Sequence, residues 1–246
     1  MKNEVRVCLI LEGTYPYITG GVSSWVHQLI KGLPGLEFSI FTISPKPDQP
    51  VHYELPENVK EHKDIVLSEI QKNSSNVKNK RAFFQDLRTI HEHFHFDSIP
   101  DIESVIRKMP TGYFPYRDAV STDTGWEMLT HANQTNNPVY PFSDFFWAWK
   151  SSHDFIFTIL GTEPPEADIY HAVSTGYAGL AGAAAKMRKG RPFLLTEHGL
   201  YHKERELEIK RTPFVTGYQR DMWIRIYNNL SRITYKYADT IMSLFE

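Results

Sequence analysis

Val5, Val7, Cys8, Leu9, Ile10 and Leu11 make an almost unbroken apolar run about as long as a strand. A strand with one wet face would alternate, so this one is expected to be covered on both faces, as in a parallel sheet. The run stops at Glu12-Gly13. Beyond Gly20-Gly21, the apolar positions Val22, Val26, Leu29, Ile30 and Leu33 recur at helical spacing, and Gly32, Pro34 and Gly35 end the helix. The first 35 residues therefore predict a buried strand, a glycine loop and an amphipathic helix.

The pattern continues with a strand over Phe38–Ile43 and a proline-marked loop from Pro45 to Pro50. Two short extended segments follow, Val51–Leu55 and Val59–Leu67. The polar stretch Ser68–Lys80 reads as an exposed, mobile connection. From Arg81 the period changes. Phe83, Leu87, Ile90 and Phe94 form a helical stripe, and helices are expected over Ile102–Met109, Asp118–Gln134 and Ser143–Leu160, the last two separated by Asn136-Asn137-Pro138. Residues 81–161 thus read as a helical insertion. The α/β rhythm then resumes: strand Asp168–Val173, small-residue helix Thr175–Met187, strand Pro192–Thr196, long helix Phe214–Tyr237 and strand Asp239–Leu244. The expected fold is α/β, a Rossmann-like domain with a mostly parallel sheet, and a chain ending on a strand reads as a cut between domains.

Composition narrows the function classes. The 246 residues are 41% hydrophobic and 23% charged, which suits a sizeable core. A formal net charge of −2 gives no case for a nucleic-acid or anionic-membrane surface. Cys8 is the single cysteine, so no intramolecular disulfide can form. No signal pattern and no long apolar span are visible, and a cytoplasmic location is the default expectation.

Candidate chemistry lies where strands end. Gly20-Gly21 opens the first helix, where backbone N–H groups and the helix dipole favour an anion and glycine permits close approach. The same pair can instead simply make the turn. G-x-G-x-x-G is missing, the second strand runs into Ser44-Pro45-Lys46 without an acidic residue for a ribose, and no P-loop is present. A dehydrogenase and a P-loop ATPase are therefore disfavoured. Thr196-Glu197-His198-Gly199 follows the strand Pro192–Leu195, and ligands of open α/β sheets bind beyond the carboxyl ends of strands. His198 is the leading candidate for a functional histidine. His171, inside a strand, can be a core histidine or a site wall. The run His202–Arg211 can be a solvated helix, with Glu206–Lys210 attractive and Glu204–Glu208 repulsive, or a flap. His91-Glu92-His93-Phe94-His95 matches H-E-x-x-H, but it lies away from the strand ends and lacks an evident third ligand. In a chain with 11 histidines, an ordinary histidine-rich helix is the expected reading. Aromatics of the insertion, Tyr113, Tyr116, Trp126, Trp147 and Trp149, favour a local core over stacking on sugars.

LEGTYPYITGGVSSWVHQLI and LLTEHGLYHKERELEI resemble signature segments of the PelF family, cytoplasmic glycosyltransferases of Pel-type exopolysaccharide synthesis within family 4 of the retaining glycosyltransferases. The resemblance spans most of the chain and is weakest between Arg81 and Phe157. It implies the N-terminal, acceptor-side domain of a GT-B enzyme that transfers glucose or a related sugar from UDP-glucose, with no cofactor and no essential metal. Carried over by position, Gly20 and Gly21 match the loop that approaches the donor diphosphate, and His198 matches the histidine near the donor sugar and reacting centre. The expected site set is His198 as catalytic residue, Gly20, Gly21 and Glu197 at the donor, and Tyr15, Tyr17, His171 and Gly199 as acceptor contacts or cleft wall. The family's paired glutamates have no counterpart here, so this chain alone is expected to be inactive without a C-terminal donor-binding domain. The implied partners are a UDP-sugar, an oligosaccharide or polysaccharide acceptor, the C-terminal domain and membrane proteins of polysaccharide export, which would recruit it to the inner face of the membrane. The competing readings are a stand-alone sugar- or nucleotide-binding module and an interaction module of the synthesis complex.

Overall fold

The computed structural model describes residues 5–69, 71–93, 99, 101–136, 139–215 and 217–244. Phe94, His95, Asn137 and Pro138, which carry parts of the expected stripe, H-E-x-x-H motif and helix break, lie outside them. The chain divides into two compact units. Unit 1 comprises Met1–Ile70, Glu163–Leu200 and Thr234–Glu246; unit 2 comprises Gln71–Thr162 and Tyr201–Ile233.

Unit 1 is a parallel sheet with helices. Its strands are β1 (Arg6–Glu12), β2 (Glu37–Ser44), β3 (Val59–Val66), β4 (Ile169–Ala172), β5 (Phe193–Glu197) and β6 (Thr240–Ser243), in the order β3-β2-β1-β4-β5-β6. Every pairing is parallel, so the α/β Rossmann-like expectation holds and the sheet is wholly rather than mostly parallel. β1 lies between β2 and β4, in register from Arg6 opposite Glu37 and from Val7 opposite Ile169. Both its faces are dry. Val7, Leu9 and Leu11 pack with Val26 and Ile30 of helix α1 (Gly21–Gly32), while Cys8 and Ile10, pointing to the other face, are fully buried. Burial pushes the Cys8 thiol up to about 12, so it stays a packed, neutral side chain.

Helix α7 (Tyr177–Lys189) packs on β1, β4 and β5. Its run of Ala and Gly lets it come close: a Cβ on Gly182 would stand 2.1 Å from the Phe193 ring of β5. The helix ends at Gly190, whose left-handed φ of 64° turns the chain out. The two sheet edges differ. β3 carries Lys60, Glu61, Lys63 and Asp64, charges that discourage further strand pairing, whereas β6 is exposed throughout and presents Ile241 and Met242.

Unit 2 contains α2 (Lys80–His93), α3 (Glu103–Lys108), α4 (Tyr116–Ser121), α5 (Asp123–Asn136), α6 (Phe142–Gly161), α8 (Tyr201–Arg211) and the greater part of α9 (Gly217–Tyr237). Phe83, Phe84, Tyr113, Trp149 and Phe157 form its interior. Three expectations change. Val51–Leu55 is not a strand, because His52 N and Tyr53 N both donate to Pro16 O (2.9 and 3.3 Å) and fasten the segment to the β1–α1 loop. The polar stretch after Ser68 is tied down: Ser74 N donates to Gly112 O at 2.9 Å, Phe114 N to Asn73 Oδ1 at 2.6 Å, and Val77 is buried. The expected helix Asp118–Gln134 is two, divided at Thr122, whose hydroxyl accepts from Gly125 N at 3.2 Å and so caps α5.

The H-E-x-x-H residues that are described hold helices together. His91 donates from Nδ1 to Leu87 O at 2.7 Å and accepts at Nε2 from the Trp149 indole N–H at 2.8 Å. Glu92 is bonded by Arg88 at 3.2 Å and His131 at 2.7 Å. Among the described residues, no group of three or more His, Cys, Asp or Glu side chains is placed to hold a metal ion. Nor is any described helix long and apolar enough to cross a membrane.

The close seating of α7 yields a stability prediction. Gly182→Ala forces its new methyl into the Phe193 ring, and overpacking of this kind is expected to cost about 1–3 kcal/mol. Urea unfolding of the variant beside the parent checks it.

Candidate functional site

The strand order places the switch point between β1 and β4: the chain leaves β1 towards β2 and β3, and later leaves β4 towards β5 and β6. Ligands of open α/β sheets bind in the crevice beyond the carboxyl ends of the strands at such a point. Two helices start there, α1 after β1 and α7 after β4, and their N-termini are treated differently. Glu12, the last residue of β1, accepts from Tyr177 N at 2.8 Å and Ala178 N at 3.4 Å. The first turn of α7 is thus filled by the protein's own carboxylate, which complements its dipole. Helix α1 has no side-chain cap: Gly20 occupies the N-cap position.

Neither glycine of the pair is demanded by the backbone. Gly20 is extended, with φ 171° and ψ 178°, a conformation open to any residue. A Cβ at Gly20 or Gly21 would meet nothing within 4 Å, and both residues are exposed. The true turn glycine is Gly13, with φ +56° just after β1. What the pair does is leave the approach to the first turn of α1 unobstructed.

His198 follows β5 directly. Trp25, one turn into α1, meets its imidazole edge-on, with ring centroids 4.7 Å apart and planes at 77°. Trp25 therefore joins the open end of α1 to the end of β5. His198 Nε2 is buried and has no hydrogen-bond partner in the described residues, and burial lowers the imidazole pKa. His198 is thus held in the neutral form, with one ring nitrogen uncommitted. His171 lies beneath it in β4, buried, its Nε2 2.8 Å from Thr196 Oγ1 and its ring 6.2 Å from Trp25. Burial, then the neighbouring His198, push its pKa down to about 4. His171 is a packed, hydrogen-bonded histidine supporting the site floor.

The other expected site residues are distributed unevenly. Glu197 ends β5, and its Oε1 accepts from the Tyr235 hydroxyl, so one carboxylate oxygen is engaged. Gly199 follows His198 in a half-exposed bend. Tyr15 is fully buried, its hydroxyl 3.2 Å from His27 Nδ1 and its ring 5.2 Å from that of Tyr53, so it supports the loop from below instead of facing an open cleft. Tyr17 is half-exposed beside His62, with ring centroids 5.9 Å apart, and burial followed by the Asp64 carboxylate raises its pKa. In unit 2 the expected aromatics separate: Tyr113 and Trp149 are core, Tyr116 bonds Thr158 Oγ1 at 2.7 Å, and Trp126 and Trp147 are 44% and 64% exposed.

Glu12 and Trp25 are missing from the sequence-based set. Trp25 carried a signal, a large aromatic one turn after the glycine pair. Glu12 carried only its place at the end of an apolar run, and its partner lies 165 residues away.

Two predictions follow from this geometry. Gly13→Ala is expected to cost about 1 kcal/mol through its left-handed φ, while Gly20→Ala and Gly21→Ala stay within about 0.5 kcal/mol of the parent in denaturant unfolding. His171 takes up a proton more readily when unfolded, because its folded pKa is depressed to about 4. Its contribution is fully present above about pH 6.5 and is lost as pH falls towards 4, by an amount on the order of 2–4 kcal/mol. Unfolding free energies measured between pH 7 and pH 4 should fall less steeply for His171→Gln than for the parent.

None of the curated proteins compared with the chain matches it. A family model described as a domain of unknown function, DUF3492, matches residues 5–246, a range that includes all six strands and the helical unit. A chain covered over that range belongs to the DUF3492 family.

Proposed function

We propose that this chain is the N-terminal, acceptor-side domain of a GT-B retaining glycosyltransferase, related to PelF, that transfers glucose or a related sugar from a UDP-sugar to a growing exopolysaccharide. Its domain family occurs in the N-terminal regions of glycosyltransferase-like Pel proteins, and the resemblance of the glycine-loop and TEHG segments points the same way. The observation that carries the reading is the pairing of an uncapped α1 N-terminus, cleared by two glycines that the backbone does not require, with a neutral His198 joined to it through Trp25.

In this reading the donor diphosphate lies at the first turn of α1, where oriented N–H groups offset the charge that builds on the departing phosphate. The acceptor hydroxyl attacks C1 from the face that UDP leaves: the new C1–O bond forms as the bond from C1 to the UDP oxygen breaks, the hydroxyl proton passes to the departing phosphate, and configuration is retained. His198, with Nε2 uncommitted, hydrogen-bonds the sugar or the acceptor oxygen. The α7 terminus takes no part in binding phosphate, because Glu12 already fills it. Uridine and ribose are held by a C-terminal domain, no metal is required, and the protein works in the cytoplasm, drawn to the membrane by export proteins.

The test uses a version carrying the C-terminal domain and measures UDP released from UDP-glucose. His198→Ala should lower release by well over tenfold, and EDTA should leave it unchanged; near-normal turnover of His198→Ala would remove His198 from the mechanism.

A further inference from the structure

Most buried hydroxyls deep in unit 1 are committed; Ser39 Oγ of β2 has no oxygen or nitrogen partner in the described residues and faces the Cys8 thiol. Thr42 and Ser44 donate to Asp64 Oδ1 at 2.5 and 2.7 Å, Thr196 bonds His171 at 2.8 Å, and Thr234 donates to Thr175 O at 3.1 Å. Two hydroxyls at the carboxyl edge of the same sheet break this pattern. Thr14 Oγ1, two residues beyond β1, and Ser174 Oγ, two residues beyond β4, are buried and have no partner in the described residues. His198 Nε2, one residue beyond β5, is in the same condition. Leaving a buried polar group unbonded costs stability, and such groups are rare enough to require a cause.

The local backbone does not supply one. Thr14 O accepts from Tyr17 N and Ile18 N at 2.9 and 3.0 Å, so the residue opens a turn. Ser and Thr in turns commonly bond nearby backbone groups, and here the hydroxyl does not. Ser174 precedes α7, whose first N–H groups are taken by Glu12, so it has no capping role to fill. The three atoms follow three adjacent strands, β1, β4 and β5. At the usual strand spacing they are spread over roughly 10 Å along the switch-point edge. Two hydroxyls and a neutral imidazole, beside an open helix N-terminus, suit a ligand dense in oxygen atoms with a negative charge at one end.

We propose that Thr14 and Ser174 are ligand-binding residues, whose hydroxyls act with His198 Nε2 as contacts along the edge of β1, β4 and β5 to the sugar and adjoining phosphate of a glycosyl phosphate. The assignment rests on the donor-site reading given above and extends it to two residues outside the glycine and histidine motifs. It also predicts opposite effects on stability and binding, which a structural hydroxyl would not produce. Removing a hydroxyl kept for a ligand relieves the free protein and weakens the complex.

The experiment compares Thr14→Val, Ser174→Ala and the parent by thermal unfolding without ligand and by calorimetric titration with glucose 1-phosphate and with UDP-glucose. Each variant should unfold about 2–4 °C higher when ligand-free. Each should bind about tenfold more weakly to whichever probe the parent binds. A lower unfolding midpoint would show that the hydroxyl is structurally bonded, and unchanged affinity would show that it does not touch ligand; either overturns the proposal, as does a parent that binds neither probe. The transferase reading fails separately. If the variants behave as expected but the version with the C-terminal domain never releases UDP, the binding residues stand and the reaction does not. If UDP is released normally with Thr14→Val and Ser174→Ala at unchanged affinity, the reaction stands and these two residues fall.

Discussion

Everything in unit 1 depends on the burial of β1. It is hydrogen-bonded along both edges and covered on both faces, so each apolar side chain from Val7 to Leu11 is withdrawn from water. Fully burying a large aliphatic side chain is worth about 1.5–3 kcal/mol, which makes this strand a firm anchor in the unit. A loop attached to such a strand starts from a well-defined point. That point is the switch in the sheet order, and the groups of chemical interest are referred to it.

The two helix N-termini at the switch point show how a fold assigns different duties to equivalent positions. Both offer oriented N–H groups and a positive dipole end. Glu12 occupies that of α7 and ties β1 to β4's following helix, which contributes to stability. The glycine pair leaves that of α1 accessible. An anion arriving at this edge finds one terminus already neutralised and the other free, so a single carboxylate directs where charge can be received. Trp25 then sets the imidazole of His198 against the open helix, and the burial of His198 keeps it neutral.

Unit 2 uses similar residue types for a different end. Several of its side chains are spent on internal bonds, His91 to Leu87 and Trp149, Glu92 to His131 and Tyr113 to Asp118, while Trp126 and Trp147 stay exposed and His202 Nδ1 is buried without a partner in the described residues. A histidine becomes chemically interesting only when a nitrogen is left over, and His91 has none while His198 has one. This distinction, and not the H-E-x-x-H spacing, separates the two.

The sequence by itself determined the α/β class, the buried first strand and most helices and strands to within a few residues, because burial on two faces and the 3.6-residue period leave local marks. Gly20-Gly21 and His198 were visible for the same reason, as they adjoin legible strand and helix ends. Tertiary structure alone decided the rest. Val51–Leu55 became a loop because its N–H groups found Pro16, and Thr122 divided a helix by capping its second half. Tyr15 went beneath the loop, His171 became a support, and Glu12 met a helix that begins 165 residues later. Whether Thr14 and Ser174 are bonded could not be read locally either. A hydroxyl's partner, or its lack of one, depends on which distant atoms the packed chain brings within reach.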